Sequence, residues 1–269
     1  MKDLKIKNLY FYPIKSCQAI EVNNVTIEKI GFKYDRSFAV INSQNKILTA
    51  RENPKLLNIS SSIDNGELIL STKERTSVSI DLNKVLTNDI YIEIFSDTAN
   101  AKIVGCETDD WLSDTLNEKS RLVAIHSEQL RRMKSKYNGK ENDFISFSDI
   151  SPIHLISEES LNDLNSKLES PVTIQNFRPN IVVSGCAAYE EDSWSSITIG
   201  DCEFEVTLKT PRCKFTTIDP ITTQVHSKQE PLRTLATYRK ESNSINFGIY
   251  LTPKKIGAIS TTDEIIAAR

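Results

Sequence analysis

A chain of 269 residues, 39% hydrophobic and 26% charged, holds enough apolar material for one large or two modest cores and has the balance of an ordinary globular protein. Its 33 Lys and Arg against 36 Asp and Glu leave a net charge of -3, which argues against a general nucleic-acid binder but allows a local basic pocket. There is no membrane segment and no apolar signal core at the start, and five cysteines without CxxC spacing (Cys17, Cys106, Cys186, Cys202, Cys213) point to free thiols in a reducing, cytoplasmic setting rather than to disulfides or structural zinc.

In chain order, residues 4–12 alternate as a strand that Pro13-Ile14-Lys15-Ser16-Cys17 breaks. Residues 22–27 and 36–42 follow as strands, with Gly31 in the turn between them; 43–46 read as a hairpin turn before 47–50. Further short strands are expected at 56–60, 67–71, 77–82 and 91–95, a spacing typical of an antiparallel sandwich or barrel. Thr108 is placed to cap a helix with Asp109 and Asp110 in its first turn and Trp111, Leu112 and Leu116 on its buried face. Residues 121–125 return to strand. The polar, basic stretch 129–147, with Arg131, Arg132, Lys134 and Lys136, reads as a mobile connection or lid. Ser157 caps a helix with Leu161, Leu164 and Leu168 at helical spacing. Strands are expected at 180–184, 197–199, 203–208, 215–218, 245–251 and 256–259, with a short helix at 231–238 opened by Pro231. The fold class is mainly β, with a few peripheral helices.

The chemistry centres on Thr210-Pro211-Arg212-Cys213-Lys214. Cys213 lies between two cations, which favour the thiolate that acts as nucleophile or soft-metal ligand; the alternative is a cysteine packed as a small hydrophobe. Lys15 and Ser16 at one strand end can hold a phosphate by charge and hydroxyl. Arg36 opens an apolar strand beside Asp35, where a local ion pair would be worth little. Arg178 precedes Pro179, which pushes its backbone to an extended conformation and so aims its side chain. Lys15, Ser16, Arg36, Arg178 and Arg212 all fall at predicted strand termini, a pattern that suits a phosphate-bearing cofactor presented to Cys213. His126, His154 and His226 lack ligand spacing and read as incidental, although His154 could approach Cys213 as a nucleophilic dyad. With 8 glycines and neither GxGxxG nor GxxxxGK[ST], a nucleotide-phosphate loop is not expected.

The run Leu9-Tyr10-Phe11-Tyr12-Pro13-Ile14-Lys15-Ser16-Cys17, then Asp35-Arg36-Ser37-Phe38 and Leu48-Thr49-Ala50-Arg51, resembles the MOSC N-terminal β-barrel domain. Asn176-Phe177-Arg178-Pro179-Asn180, Glu191-Asp192-Ser193-Trp194 and Arg212-Cys213 with Thr216-Thr217-Ile218-Asp219-Pro220 resemble the MOSC domain itself. The resemblance covers nearly the whole chain and is to the mitochondrial amidoxime-reducing components and their bacterial counterparts. It implies two regions, 1–118 and 119–269, with a β-barrel MOSC core in the second. It implies a molybdenum cofactor (Mo-molybdopterin) with Cys213 as metal ligand and catalytic residue. Lys15, Ser16, Arg36, Arg178 and Arg212 would be joined at the cofactor by Ser151, Asn180 and Tyr250, which only the resemblance singles out. Pro211 stands where relatives often carry serine, removing a hydroxyl and a backbone donor. The implied reaction is two-electron reduction of a small N-hydroxylated substrate to an amine or amidine, with Asp219 or a metal-bound hydroxide a candidate proton relay by proximity. No C-x4-C-x2-C run is present, so a separate ferredoxin- or cytochrome b5-like protein would deliver the electrons. The alternatives are a molybdenum-cofactor or sulfur carrier using Cys213, and a β-rich interaction module without cofactor.

Overall fold

The computed structural model describes residues 4–84 and 88–269; Met1–Asp3, at the start read above as lacking a signal core, lie outside the described residues. The architecture is mainly β with three peripheral α-helices, Cys106–Leu116, Glu158–Asn165 and Leu232–Tyr238. The largest sheet has nine strands. Its path runs Ile20–Val22, Lys5–Phe11, Ile181–Ser184, Ile153–Ser157, Ser244–Lys255, Cys202–Pro211, Ser196–Ile199, Ile265–Ala268, with Lys240–Glu241 paired to the long strand off the path. Ile153–Ser157 and Ile181–Ser184 are parallel. The chain between them contains the helix Glu158–Asn165, because a parallel pair needs a crossover rather than a tight turn. Inward-facing Leu9, Phe11, Leu155, Ile181, Phe204, Ile249 and Leu251 form the core of this sheet.

A second sheet of four strands orders Phe38–Asn42, Ser120–Ile125, Asp97–Ile103 and Asp89–Ile94. Val40 and Leu122 from this sheet pack in one core with Trp111, Leu112 and Leu116 of the first helix and with Leu68 and Leu70 of the hairpin sheet Ser60–Asp64, Glu67–Ser71, Val78–Asp81. The stretch after the first strand connects the two large sheets. Lys15 donates its N–H to the Phe38 carbonyl at 2.9 Å, and Phe38 donates to the Pro13 carbonyl at 3.0 Å. The chain therefore leaves one sheet and joins the edge of the other at Pro13–Lys15, which puts Lys15 and Ser16 at the junction.

Several local expectations are corrected. Residues 215–218 lie in a 3-10 turn, Lys214–Thr217, followed by Ile218, and not in a strand. The Thr216 and Thr217 hydroxyls donate back to the Cys213 and Lys214 carbonyls at 3.0 and 2.8 Å, a local bonding pattern that competes with a sheet ladder. The first helix starts at Cys106 after Gly105, so Thr108 is a buried first-turn residue and not the cap. Residues 54–58 form a 3-10 helix because Asn53 caps it and Pro54 opens it; the strand begins at Ser60. The stretch 129–147 is tied down. It contains a small antiparallel pair, Arg131–Arg132 with Phe144–Ile145, and Arg131 donates to the Ser146 and Ser148 carbonyls at 2.8 and 3.2 Å. Ser157 does cap its helix, accepting from the Ser160 N–H at 3.1 Å. Among the described residues, no helix is long and apolar enough to cross a membrane.

Candidate functional site

Lys15, Ser16, Arg36, Ser151, Arg178, Asn180, Arg212, Cys213 and Tyr250 all line one cleft. They come from segments more than 200 residues apart in the chain, and the sheet junction described above is what gathers them. Ser16, Arg36 and Arg178 have φ of +69°, +47° and +55°. Left-handed backbone at three non-glycine residues is conformationally unfavourable and concentrates where a side chain must be aimed.

Arg36 and Arg178 share one platform. Their guanidinium carbons stand 4.3 and 4.0 Å from the ring centre of Tyr12, which is fully buried. Arg36 is pinned: Nη1 donates to Asp35 at 2.6 Å and to Asn180 Oδ1 at 3.3 Å, and Nη2 donates to the Arg178 carbonyl at 3.1 Å. Asp35 also accepts the Tyr12 N–H at 2.8 Å. Asn180 ties the wall together, accepting the His154 N–H at 3.1 Å and donating to the Tyr10 carbonyl at 3.1 Å. Arg178 is different. Its Nη2 is buried without a protein acceptor, and burial pulls its pKa down to about 10.

Arg212 repeats this pattern on the opposite strand end. Its Nη2 donates to the Phe177 carbonyl at 2.8 Å, while Nε is buried without a partner. Burial lowers its pKa. His154 Nε2 lies 3.4 Å from Arg212 Nη1 and 3.4 Å from the Phe247 carbonyl. Burial, helped by the Arg212 charge, holds the imidazole well below its ordinary pKa, so it is neutral at pH 7. Tyr250, under the same burial, is raised to about 12. Ser151 is spent on the Leu251 carbonyl at 3.1 Å.

At the mouth, buried Lys15 donates to the Phe147 carbonyl at 2.7 Å and pairs with Asp149. Burial lowers the Lys15 pKa against the opposing pull of Asp149. Burial works to raise Asp149, but the Lys15 ammonium outweighs it and holds this carboxyl below its usual range. Cys213 is exposed, with Sγ 3.9 Å from Arg51 Nη1. The small-hydrophobe description belongs to Cys17 and Cys202, which are buried.

The structure also adds residues to the cleft and removes one from its chemistry. Thr49, Arg51, Ser148, Asp149, His154 and Phe177 line it as well. His154, read as incidental from its spacing, is therefore part of the wall. The Leu48-Thr49-Ala50-Arg51 run was the available signal for Arg51; Asp149, two residues before Ser151, had none. Asp219 is not a lining residue: its carboxylate accepts the Ile221 and Thr222 N–H groups at 2.8 and 2.7 Å and closes a turn.

A MOSC N-terminal beta barrel domain model matches residues 3–119, and a MOSC domain model matches residues 142–266. The chain belongs to the MOSC-domain family, in the form that carries this N-terminal barrel. It is similar to the mitochondrial amidoxime reducing component 2 of Rattus norvegicus, at 33% identity over 97% of this chain and 82% of that protein. It is similar also to the mitochondrial amidoxime-reducing component 1 of Mus musculus, at 36% identity over 87% of this chain and 71% of the relative. Against component 1 of Homo sapiens the identity is 34% over 97% and 82%.

Proposed function

We propose that the cleft binds a molybdenum–pterin cofactor and that the protein reduces N-hydroxylated compounds, such as hydroxylamines and amidoximes, to amines or amidines. The observation that carries this reading is the convergence of buried cations on one exposed thiol, with Arg178 Nη2 and Arg212 Nε lacking any protein acceptor. A buried charged donor left unsatisfied is costly, and phosphate oxygens would satisfy it. The donor set fits the cofactor in a second way. Among the described residues no cluster of three or more His, Cys, Asp or Glu could hold a metal ion. A metal on Cys213 would thus take its other ligands from a bound group, and sulfur ligands suit a soft site. Lys15, Ser16, Arg36, Arg178 and Arg212 would hold the anionic end; Asn180, Ser151 and Tyr250 would shape the wall behind it.

The bound group would supply the two-electron couple, and the protein supplies position and a path for protons from solvent. The net change is R–NHOH plus two protons and two electrons, giving R–NH2 and water. Arg36 acts as a fixed anchor because Asp35 and Asn180 already orient it. Neutral His154 orients Arg212 and has no titratable proton to donate at pH 7. Asp149, 43% exposed at the mouth, stays an ionised partner of Lys15, and solvent at the open mouth would deliver the protons. A separate ferredoxin- or cytochrome b5-like protein would bring the electrons. Five free cysteines support a reducing compartment, and we assign the cytoplasm. We assign the boundary between the two regions to 118/119, after the helix Cys106–Leu116.

The test is the molybdenum-to-protein ratio of freshly isolated protein, followed by hydroxylamine turnover with an artificial electron donor. The reading expects near-stoichiometric metal and turnover that vanishes in Cys213→Ala. Bound cofactor without turnover would identify a cofactor or sulfur carrier instead, and absence of the metal from protein isolated from its native host would refute both.

A further inference from the structure

The hairpin that follows the Cys213 turn is firmly braced and yet faces water. Ile218 and Val225 bridge its two arms. The Asp219 N–H donates to the Gln224 carbonyl at 2.9 Å, and the Thr223 N–H donates to the Asp219 carbonyl at 2.9 Å. At the base, the His226 N–H donates to the Thr217 carbonyl at 2.8 Å, and Asn176 Nδ2 donates to the Thr216 and Ile218 carbonyls at 3.2 and 3.3 Å. Thr223 has φ +60°, an outlier for a β-branched residue. Strain of this kind persists only where the surroundings over-determine it, and it gathers at functional sites. What the hairpin presents is apolar: Ile221 is 76% exposed and Val225 58%. Single exposed apolar side chains are ordinary, but two on one braced and strained hairpin mark a contact surface.

Its place indicates the contact. The hairpin is mounted on the turn that carries Cys213, whose carbonyl accepts the Thr216 hydroxyl at 3.0 Å. Pro220 and Ile221 also line a groove of about 940 Å³. Lys55, Lys73, Arg75 and Arg178 line the same groove against three acids, of which Asp114 is matched by Arg75 at 3.2 Å. Exposed Lys214 adds a cation next to Cys213. The hairpin's own acid, Asp219, is taken by two N–H groups of the turn. On a chain of net charge -3, this lip is locally positive around an apolar centre. An apolar centre with a cationic rim complements an acidic protein.

We infer that hairpin 218–225, with the cationic groove beside it, is the docking surface for the electron donor, an acidic one-electron carrier protein. This inference rests on the reductase reading above and specifies where its partner binds. Each docking delivers one electron, so two reduced carriers are oxidised for every R–NHOH that takes up two protons and becomes R–NH2 and water. Redox encounters bury little area, which fits a patch built on two side chains. Ile221 and Val225 are docking residues and lie outside the cleft lining.

The experiment reduces hydroxylamine with two kinds of electron source: methyl viologen, and a carrier protein, either a plant-type ferredoxin or a soluble cytochrome b5 domain. The holoenzymes are wild type, the double variant Ile221→Glu/Val225→Glu, and Lys73→Glu. The substituted side chains are exposed, so Tm is expected to stay at the wild-type value, which separates docking from misfolding. The kcat/KM for the carrier is expected to fall about tenfold in the double variant, equivalent to about 1.4 kcal/mol, and to fall also in Lys73→Glu. Turnover with methyl viologen is expected to match wild type in both. Rising salt should slow the carrier reaction of wild type more than that of Lys73→Glu. Carrier kinetics unchanged in the double variant overturn the docking surface, as does an equal loss with both electron sources. So does wild-type protein that methyl viologen drives and neither carrier drives. A dimer on size exclusion that the double variant dissociates, with carrier kinetics intact, makes the hairpin a contact between copies of this chain instead. Wild type that turns over with no donor overturns the reductase reading, and NMR titration of the oxidised carriers against wild type and double variant then decides the docking surface alone.

Discussion

Removing the charge of Arg178 should stabilise the cofactor-free protein while weakening its anion site. The guanidinium is pulled from an ordinary 12.5 to about 10 by burial. At 1.36 kcal/mol per unit, the folded state bears a penalty of about 3 kcal/mol for keeping it charged. Against this stands the stack on Tyr12 at 4.0 Å, worth up to about 2 kcal/mol when desolvated. Arg178→Met keeps the apolar stem and loses both contributions, leaving a net gain of about 1 kcal/mol. For a chain of this size that is a rise in Tm of roughly 2–4 °C. Thermal unfolding of cofactor-free protein measures it, and a titration with inorganic phosphate completes the assay. Phosphate should raise the wild-type Tm by mass action and raise that of Arg178→Met clearly less, since Arg212 and Lys15 remain. A variant clearly less stable than wild type without cofactor would refute the reasoning, because Arg178 would then be a structural partner and not a donor awaiting an anion.

Three other outcomes are expected. His154 is held neutral by burial in the fold but titrates near 6.5 in the unfolded chain, so its contribution is present above pH 6.5 and is lost as pH falls below it. Urea midpoints at pH 7 and pH 5 should therefore separate less in His154→Gln than in wild type, by up to about 1.4 kcal/mol per pH unit over the window. Cys213→Ser should leave stability within about 0.5 kcal/mol, since the residue is exposed, and should remove molybdenum as read by metal analysis. Asn180→Ala strips partners from the His154 N–H, the Tyr10 carbonyl and Arg36, and should cost about 3 kcal/mol in urea unfolding; a loss below about 1 kcal/mol would mean that water replaces the amide.

Much of the β architecture could be read from the sequence because its signals are local. The alternation in residues 4–12, the turn at 43–46 and the capping Ser157 each carry their cause within a few residues. The misread stretch 215–218 shows the limit: a β-branched run satisfies strand propensity, but two threonine hydroxyls bonded back along the chain decide otherwise. In the site, Lys15, Arg178 and Arg212 were legible as cations at predicted strand ends, although Arg178 has φ +55° and not the extended backbone expected before Pro179. Asp149 and His154 were not, since their place depends on which segments meet in space. Ser151, Asn180 and Tyr250 were legible only through resemblance, as each is an ordinary polar residue until the fold presents it.

The passage of Lys5–Phe11 into the large sheet has a consequence for how the protein is made and cut. That strand pairs with Ile181–Ser184, and Tyr12 donates its hydroxyl to the Pro179 carbonyl, 167 positions away. A fragment restricted to residues 142–266 would present Ile181–Ser184 as a bare edge, an invitation to aggregate. During synthesis the first strand must wait for its partner to emerge. The cleft can close around a ligand only after most of the polypeptide has left the ribosome, so loading belongs to the finished chain.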